Sequence, residues 1–143
     1  MDAFRVLLVD DEADFLTTLI KRLKKRKVNV EGAGSAEDAL TALEKQPADV
    51  VILDVKMPGM SGMQALKEIK IRHPLTEVIM LTGHASVEVA IQGMEAGAFD
   101  YLMKPMDIDE LLYKVQDAYK KKSLQEAKIK NIRKVSGVSD IES

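Results

Sequence analysis

The 143-residue sequence predicts an α/β fold of the doubly wound kind: one five-stranded parallel sheet with helices on both faces. Three observations predict it. Short apolar runs alternate with helix-patterned segments five times, in units of about 20 to 25 residues. Several of the runs are apolar on both faces, as buried parallel strands are. Most of the runs also stop on a polar residue, and in an open parallel sheet ligands sit beyond the carboxyl ends of the strands.

The elements follow in order. The run Phe4 to Val9 is a first strand and ends at Asp10, Asp11 and Glu12. Phe15, Leu16, Leu19, Ile20 and Leu23 then form one helical stripe, with Lys21, Arg22, Lys24, Lys25 and Arg26 on the polar side and acids ahead of bases along the dipole. Val28 to Glu31 is a short second strand, Gly32 to Gly34 a turn, and Ser35 with Asp38 a capping box for a helix that buries Ala36, Ala39, Leu40 and Leu43 and stops at Pro47. Val50 to Leu53 is the third strand. A Pro- and Gly-bearing loop leads to a helix carrying Met63, Leu66 and Ile69, which His73-Pro74 ends. The fourth strand, Val78 to Leu81, ends at Thr82. Gly83 opens a turn, Ser86 begins a helix lined by Val87, Ala90, Ile91 and Met94, and Gly97 closes it. Phe99, Tyr101 and Leu102 mark a fifth strand ending at Lys104-Pro105. Asp107 with Glu110 caps a last helix that buries Leu111, Leu112, Val115 and Tyr119. Residues 1–121 make one domain. Residues 122–143 are a helical extension, a linker or a disordered tail, in which Leu124, Ala127 and Ile132 are weak apolar marks.

Composition narrows the function classes. Apolar residues make up 46%, a globular proportion. Lys plus Arg number 21 and Asp plus Glu 23, a balance that gives no global reason to bind nucleic acid or an anionic membrane, and the basic tail reads as a solvated helix face. The chain has no cysteine, which excludes disulfides and thiolate metal sites, and two histidines, His73 and His84, which do not build a metal site alone. No apolar run reaches membrane-spanning length and the amino end lacks the pattern of a signal peptide, so the expected location is cytoplasmic.

The strand ends carry the chemistry. Asp10 and Asp11, Asp54, Thr82 and Lys104 all belong to one rim of the sheet. Singly, each has a plain explanation: Asp10 and Asp11 as helix caps, Asp54 as a turn former, Thr82 as a turn hydroxyl, Lys104 as a surface lysine, Tyr101 as packing. Jointly they fit less ordinary work. Three close carboxylates repel and call for protons or a cation, and an all-oxygen donor set suits Mg2+ or another hard divalent ion such as Mn2+. A carboxylate held ionised there is a nucleophile able to form an acyl phosphate, whose oxygens a metal ion, an ammonium and a hydroxyl can stabilise. The bond between Lys104 and Pro105 is either cis, which would fix how the lysine is aimed, or trans, the commoner form.

LLVDDE at residues 7–12, LDVKMPGMSG at 53–62, MLTGHA at 80–85 and GAFDYLMKP at 97–105 together resemble the receiver domains of bacterial two-component response regulators, over residues 4 to 120. The resemblance implies a flavodoxin-like sheet with strand order 2-1-3-4-5 and Asp54 as the phosphoacceptor, served by a sensor histidine kinase or phosphotransfer protein. It implies metal binding by Asp11, Asp54 and the backbone carbonyl of Lys56, with Asp10 slightly further out. Thr82 and Lys104 would contact the phosphoryl group, and Tyr101 would swing inward as Thr82 shifts. The surface of the fourth helix, fifth strand and fifth helix would then meet a partner or a second copy of the chain. The side chain of Lys56 is expected to affect donor access or loss of the phosphoryl group. The run from TGHA to KP looks like receivers attached to transcription activators of the nitrogen-regulation kind; either the protein works alone or an output domain lies outside these residues, and in both cases no direct nucleic-acid contact by this domain is expected. The module is expected to assist its own phosphorylation and dephosphorylation and not to be an enzyme. Two rivals share the residue set: a metal-dependent phosphatase working through an aspartyl phosphate, and a switch-inactive receiver-like interaction module.

Overall fold

The structure, a computed structural model, describes residues 4–55, 61–83 and 87–137. The chain runs β1 (Arg5–Val9), α1 (Ala13–Lys25), β2 (Asn29–Ala33), α2 (Ala36–Lys45), β3 (Val50–Leu53), α3 (Gly62–Arg72), β4 (Glu77–Thr82), α4 (Val87–Glu95), β5 (Asp100–Met103) and α5 (Ile108–Ser136). All strand pairs are parallel, in the order β2-β1-β3-β4-β5, so both the predicted fold and the implied strand order hold.

Alternation along the strands divides the core into two layers. Leu7, Val9, Val51, Leu53, Val78 and Met80 pack with α2 and α3, while Val6, Leu8, Val50, Ile52, Ile79 and Leu81 pack with α1 and α5. The central strands are buried on both faces, which is why they read as continuous apolar runs. Register then builds the rim. Val9 pairs with Leu53, so Asp10 and Asp54 emerge side by side. Leu53 pairs with Met80 and Thr82 with Met103, so Thr82 and Lys104 arrive at the same edge.

Several local expectations are corrected. β2 continues through Gly32 and Ala33, where a turn was expected, because both residues pair in register with Leu8 and Val9. The reciprocal capping box stands at α3: Ser61 Oγ accepts from Gln64 N–H (3.2 Å) and Gln64 Oε1 accepts from Ser61 N–H (3.0 Å). Ser35 accepts from Asp38 N–H as expected. Asp107 caps α5 through Asp109 N–H instead of through Glu110. Ser61→Ala is expected to cost about 1 kcal/mol, the usual worth of an N-cap hydroxyl, and to lower the thermal midpoint by a few degrees in calorimetry.

On α4 the structure fixes a direction that the sequence left open. Val87, Ile91 and Met94 are exposed and Gly93 faces inward, lying against Met80. An apolar stripe at helical spacing marks an apolar face, and it does not say whether that face meets the core or a partner. Ser86 lies outside the described residues. On α5, Ile108, Leu111, Val115 and Ala118 are buried, with Leu112 and Tyr119 partly so. The helix then continues to Ser136 and ends at Gly137, whose left-handed backbone (φ 76°) is a helix stop that suits glycine.

Candidate functional site

The three strand-end aspartates converge. One carboxylate oxygen from each of Asp10, Asp11 and Asp54 lies within 4.8 Å of the others, with Asp10 and Asp54 buried and Asp11 exposed. Backbone bonds fix two of them: Asp54 N–H donates to Val9 C=O (3.0 Å) and Asp10 N–H to Ala33 C=O (3.1 Å). Asp10 Oδ1 also accepts from Glu12 N–H (2.9 Å), an Asx-type turn that leads the chain into α1, so this residue serves both the cap-like and the site role.

Lys104 points into the cluster, and its closest partner is Asp10: Nζ lies 2.7 Å from Asp10 Oδ2 and 3.4 Å from Glu12 Oε1. Its ammonium also sits 4.1 Å from the centroid of the Phe15 ring, close enough for cation–π attraction. Burial alone would push the lysine's pKa down. The hydrogen bond and charge of Asp10, then the charge of Asp54 and the bond to Glu12, outweigh it and leave the pKa raised. The peptide bond into Pro105 is cis. Thr82 is buried at the end of β4, and its carbonyl accepts from Lys104 N–H (2.8 Å). Tyr101, on β5, is 39% exposed, and Met103 on the same strand is exposed as well. Lys56 and His84 lie outside the described residues, so the expectations resting on them lie there too.

Three contributors were not singled out from the sequence. Glu12 belongs to the quoted LLVDDE run, and its bond to Lys104 follows from the turn at Asp10. Phe15 reads as a core position of the α1 stripe, and only the three-dimensional arrangement puts its ring against the lysine. Gly62 opens α3 directly against the backbone of the site: its N–H donates to Val55 C=O, and a Cβ there would stand 2.1 Å from Asp54 O.

The donor set, three carboxylates with two of them buried and one ammonium offsetting part of the charge, fits a hard divalent cation. Fold and pocket together define a small α/β module with an acidic, metal-ready cluster at the point where strand order reverses. The chain belongs to the response regulator receiver domain family, matched over residues 6–116, and is thus a module of two-component signalling. It is 38% identical over 113 residues to the DNA-binding transcriptional regulator NtrC of Salmonella typhimurium, covering 79% of this chain and 24% of that protein. It is 40% identical over 110 residues to the transcriptional regulatory protein ZraR of Escherichia coli, covering 77% and 25%. Among solved structures, a response regulator receiver domain protein from Clostridium thermocellum superposes with a TM-score of 0.81 at 37% identity, covering 85% of this chain and 98% of that one. NtrX from Brucella abortus, crystallised with ATP, gives 0.82 at 30% identity, covering 88% and 29%. The chain spans about a quarter of the length of the curated relatives it matches. No helix among the described residues is long and apolar enough to cross a membrane.

Proposed function

We propose that Asp54 accepts a phosphoryl group from a sensor histidine kinase or phosphotransfer protein and that the domain switches its α4, β5 and α5 surface in response. The observation that carries this reading is the convergence of three aspartate oxygens within 4.8 Å beside the Lys104 ammonium. A carboxylate oxygen of Asp54 attacks the phosphorus of a phosphohistidine; the new O–P bond forms as the N–P bond breaks, and the electron pair leaves with the imidazole. Asp10, Asp11 and Asp54 would hold Mg2+, or Mn2+, which when bound neutralises charge on the phosphoryl oxygens. Lys104 and Thr82 supply an ammonium and a hydroxyl to the same oxygens, Lys104 loosening its hold on Asp10 to do so. The domain turns over no outside substrate; it assists the gain and loss of its own phosphoryl group.

What supports the choice of output surface is its exposed apolar character: Val87, Ile91 and Met94 on α4 and Tyr101 and Met103 on β5. Tyr101 turning inward as Thr82 moves would change that surface, which serves a second copy or a partner. The names of the relatives place them in transcription regulation, so the output of this chain is taken to be a separate domain acting in the cytoplasm. The test is incubation with a small phosphodonor and Mg2+ followed by intact mass. One acid-stable, base-labile phosphate is expected on the wild type and none on Asp54→Asn or with the metal chelated. Absence of the adduct on the wild type would sink this reading, and rapid turnover of unrelated phosphate esters would indicate a phosphatase instead.

A further inference from the structure

The opposite ends of the strands carry a second set of charges, and they face α5. Asp49, immediately before β3, ties three strands together. Its N–H donates to Arg5 C=O (2.9 Å), its C=O accepts from Glu77 N–H (3.1 Å) and its Oδ2 accepts from Arg5 N–H (2.7 Å). Its remaining oxygen, Oδ1, meets the ammonium of Lys122 on α5. Glu77, the first residue of β4, is only 1% exposed; its Oε2 lies 3.4 Å from Lys121 Nζ and its Oε1 lies 3.8 Å from Lys70 Nζ with no hydrogen-bond partner.

These two carboxylates begin the very strands that end at the pocket. β3 lies between Asp49 and Asp54, and β4 runs from Glu77 to Thr82. Beyond Lys122, α5 leaves the body of the domain: Leu124 is exposed, and so are all of residues 126 to 136, with Ile129, Ile132 and Val135 among them. Glu77 is the buried carboxylate of the two, and one that lacks its full set of partners is costly, which favours keeping Lys70 of α3 and Lys121 of α5 beside it.

We propose that Asp49 and Glu77, gripping Lys122 and Lys121, form a clamp that sets the direction in which α5 leaves the domain, and that β3 and β4 carry a change at Asp54 and Thr82 to that clamp. The second half of this proposal rests on Asp54 being the phosphoacceptor. The first half stands on the contacts alone. Asp49 and Lys122 are positioning residues in this sense, since neither touches the pocket.

The cysteine-free chain allows a direct test. Spin labels on Lys45→Cys and Lys134→Cys report the distance between the body and the projecting helix. A narrow distribution is expected in the parent and in Lys122→Arg. Lys122→Met and Asp49→Asn are each expected to broaden it at least about twofold, as for an element released at one end, with the thermal midpoint showing that the body remains folded. Lys121→Met provides a second, more exposed probe of the same clamp. If all three neutralised variants keep the narrow distribution, the clamp is overturned. With acetyl phosphate and Mg2+, the mean distance should shift in the parent and not in Lys122→Met, although both carry the adduct. An adduct without any shift in the parent overturns the coupling. If no adduct forms, it is the assignment of Asp54 that has failed, and the unphosphorylated comparison still decides the clamp.

Discussion

Gly62→Ala is expected to destabilise the domain by about 3 kcal/mol, the upper range for forced overpacking, and to lower its thermal midpoint by about 10 °C at this chain length. The added Cβ would lie 2.1 Å from Asp54 O, 2.5 Å from Val55 Cα and 2.8 Å from Val55 O. All three are backbone atoms of the segment that presents Asp54, so relief requires moving either α3 or the pocket itself. Gly93→Ala is the control. Its Cβ would meet Met80 Cε at 2.0 Å and Sδ at 2.3 Å, the flexible end of a thioether that can choose another rotamer. Its cost should be nearer 1 kcal/mol, with phosphodonor labelling retained. Calorimetry of the two variants separates them; equal losses would mean that α3 yields as easily as a methionine tip.

Lys104→Met is expected to lower stability in metal-free buffer by about 2 kcal/mol and to raise the affinity of the acidic cluster for Mg2+ by roughly tenfold. Asp10 is 1% exposed and its Oδ2 sits 2.7 Å from the ammonium, so removing that charge leaves a buried carboxylate without its main partner. The loss is placed below the usual 3–5 kcal/mol for such a pair because the cluster opens to solvent at Asp11 and Glu12. Saturating Mg2+ should recover much of the loss, since the ion would take over the compensating role. The pH dependence has a definite sign. The pKa of Lys104 is raised above 10.5 in the fold, so its contribution is complete below 10.5 and fades as the pH climbs beyond that value. The gap between parent and variant should therefore be flat at neutral pH and close in strong alkali. Denaturant melts with and without Mg2+, together with a calorimetric metal titration, measure both effects. An unchanged Mg2+ affinity would separate Lys104 from the ion's surroundings.

How far the sequence could be read is clearest element by element. β3 is observed over the residues expected, because a four-residue apolar run bounded by Asp49 and Asp54 admits little else. The convergence of Asp10, Asp11 and Asp54 followed from strand ends sharing a rim, and the register confirms why. Pairing within the rim was not legible. Lys104 could have been placed on Asp54 as readily as on Asp10, since the choice depends on the side chain's path past Phe15. On α4, periodicity found the apolar stripe and could not give its direction. The inward face there is closed by a glycine, which leaves no apolar signal. On α5 the periodic pattern fades after Tyr119, whereas the helix persists on the propensities of Lys, Glu, Gln and Ala and on the grip of Lys122 upon Asp49. That grip joins residues 73 apart, a separation that no local pattern reports.

The length of α5 gives small motions a large reach. From residue 123 to Ser136 the helix extends about 21 Å at the usual rise per residue. A tilt of about 10° at the root would sweep its tip through nearly 4 Å, more than two residues of rise. A change too slight to see at the sheet would thus arrive at the far end as a displacement comparable to a side chain's width. The projecting half of α5 is a lever arm, and its fulcrum is the amino ends of β3 and β4, at the other end of the strands from the aspartates.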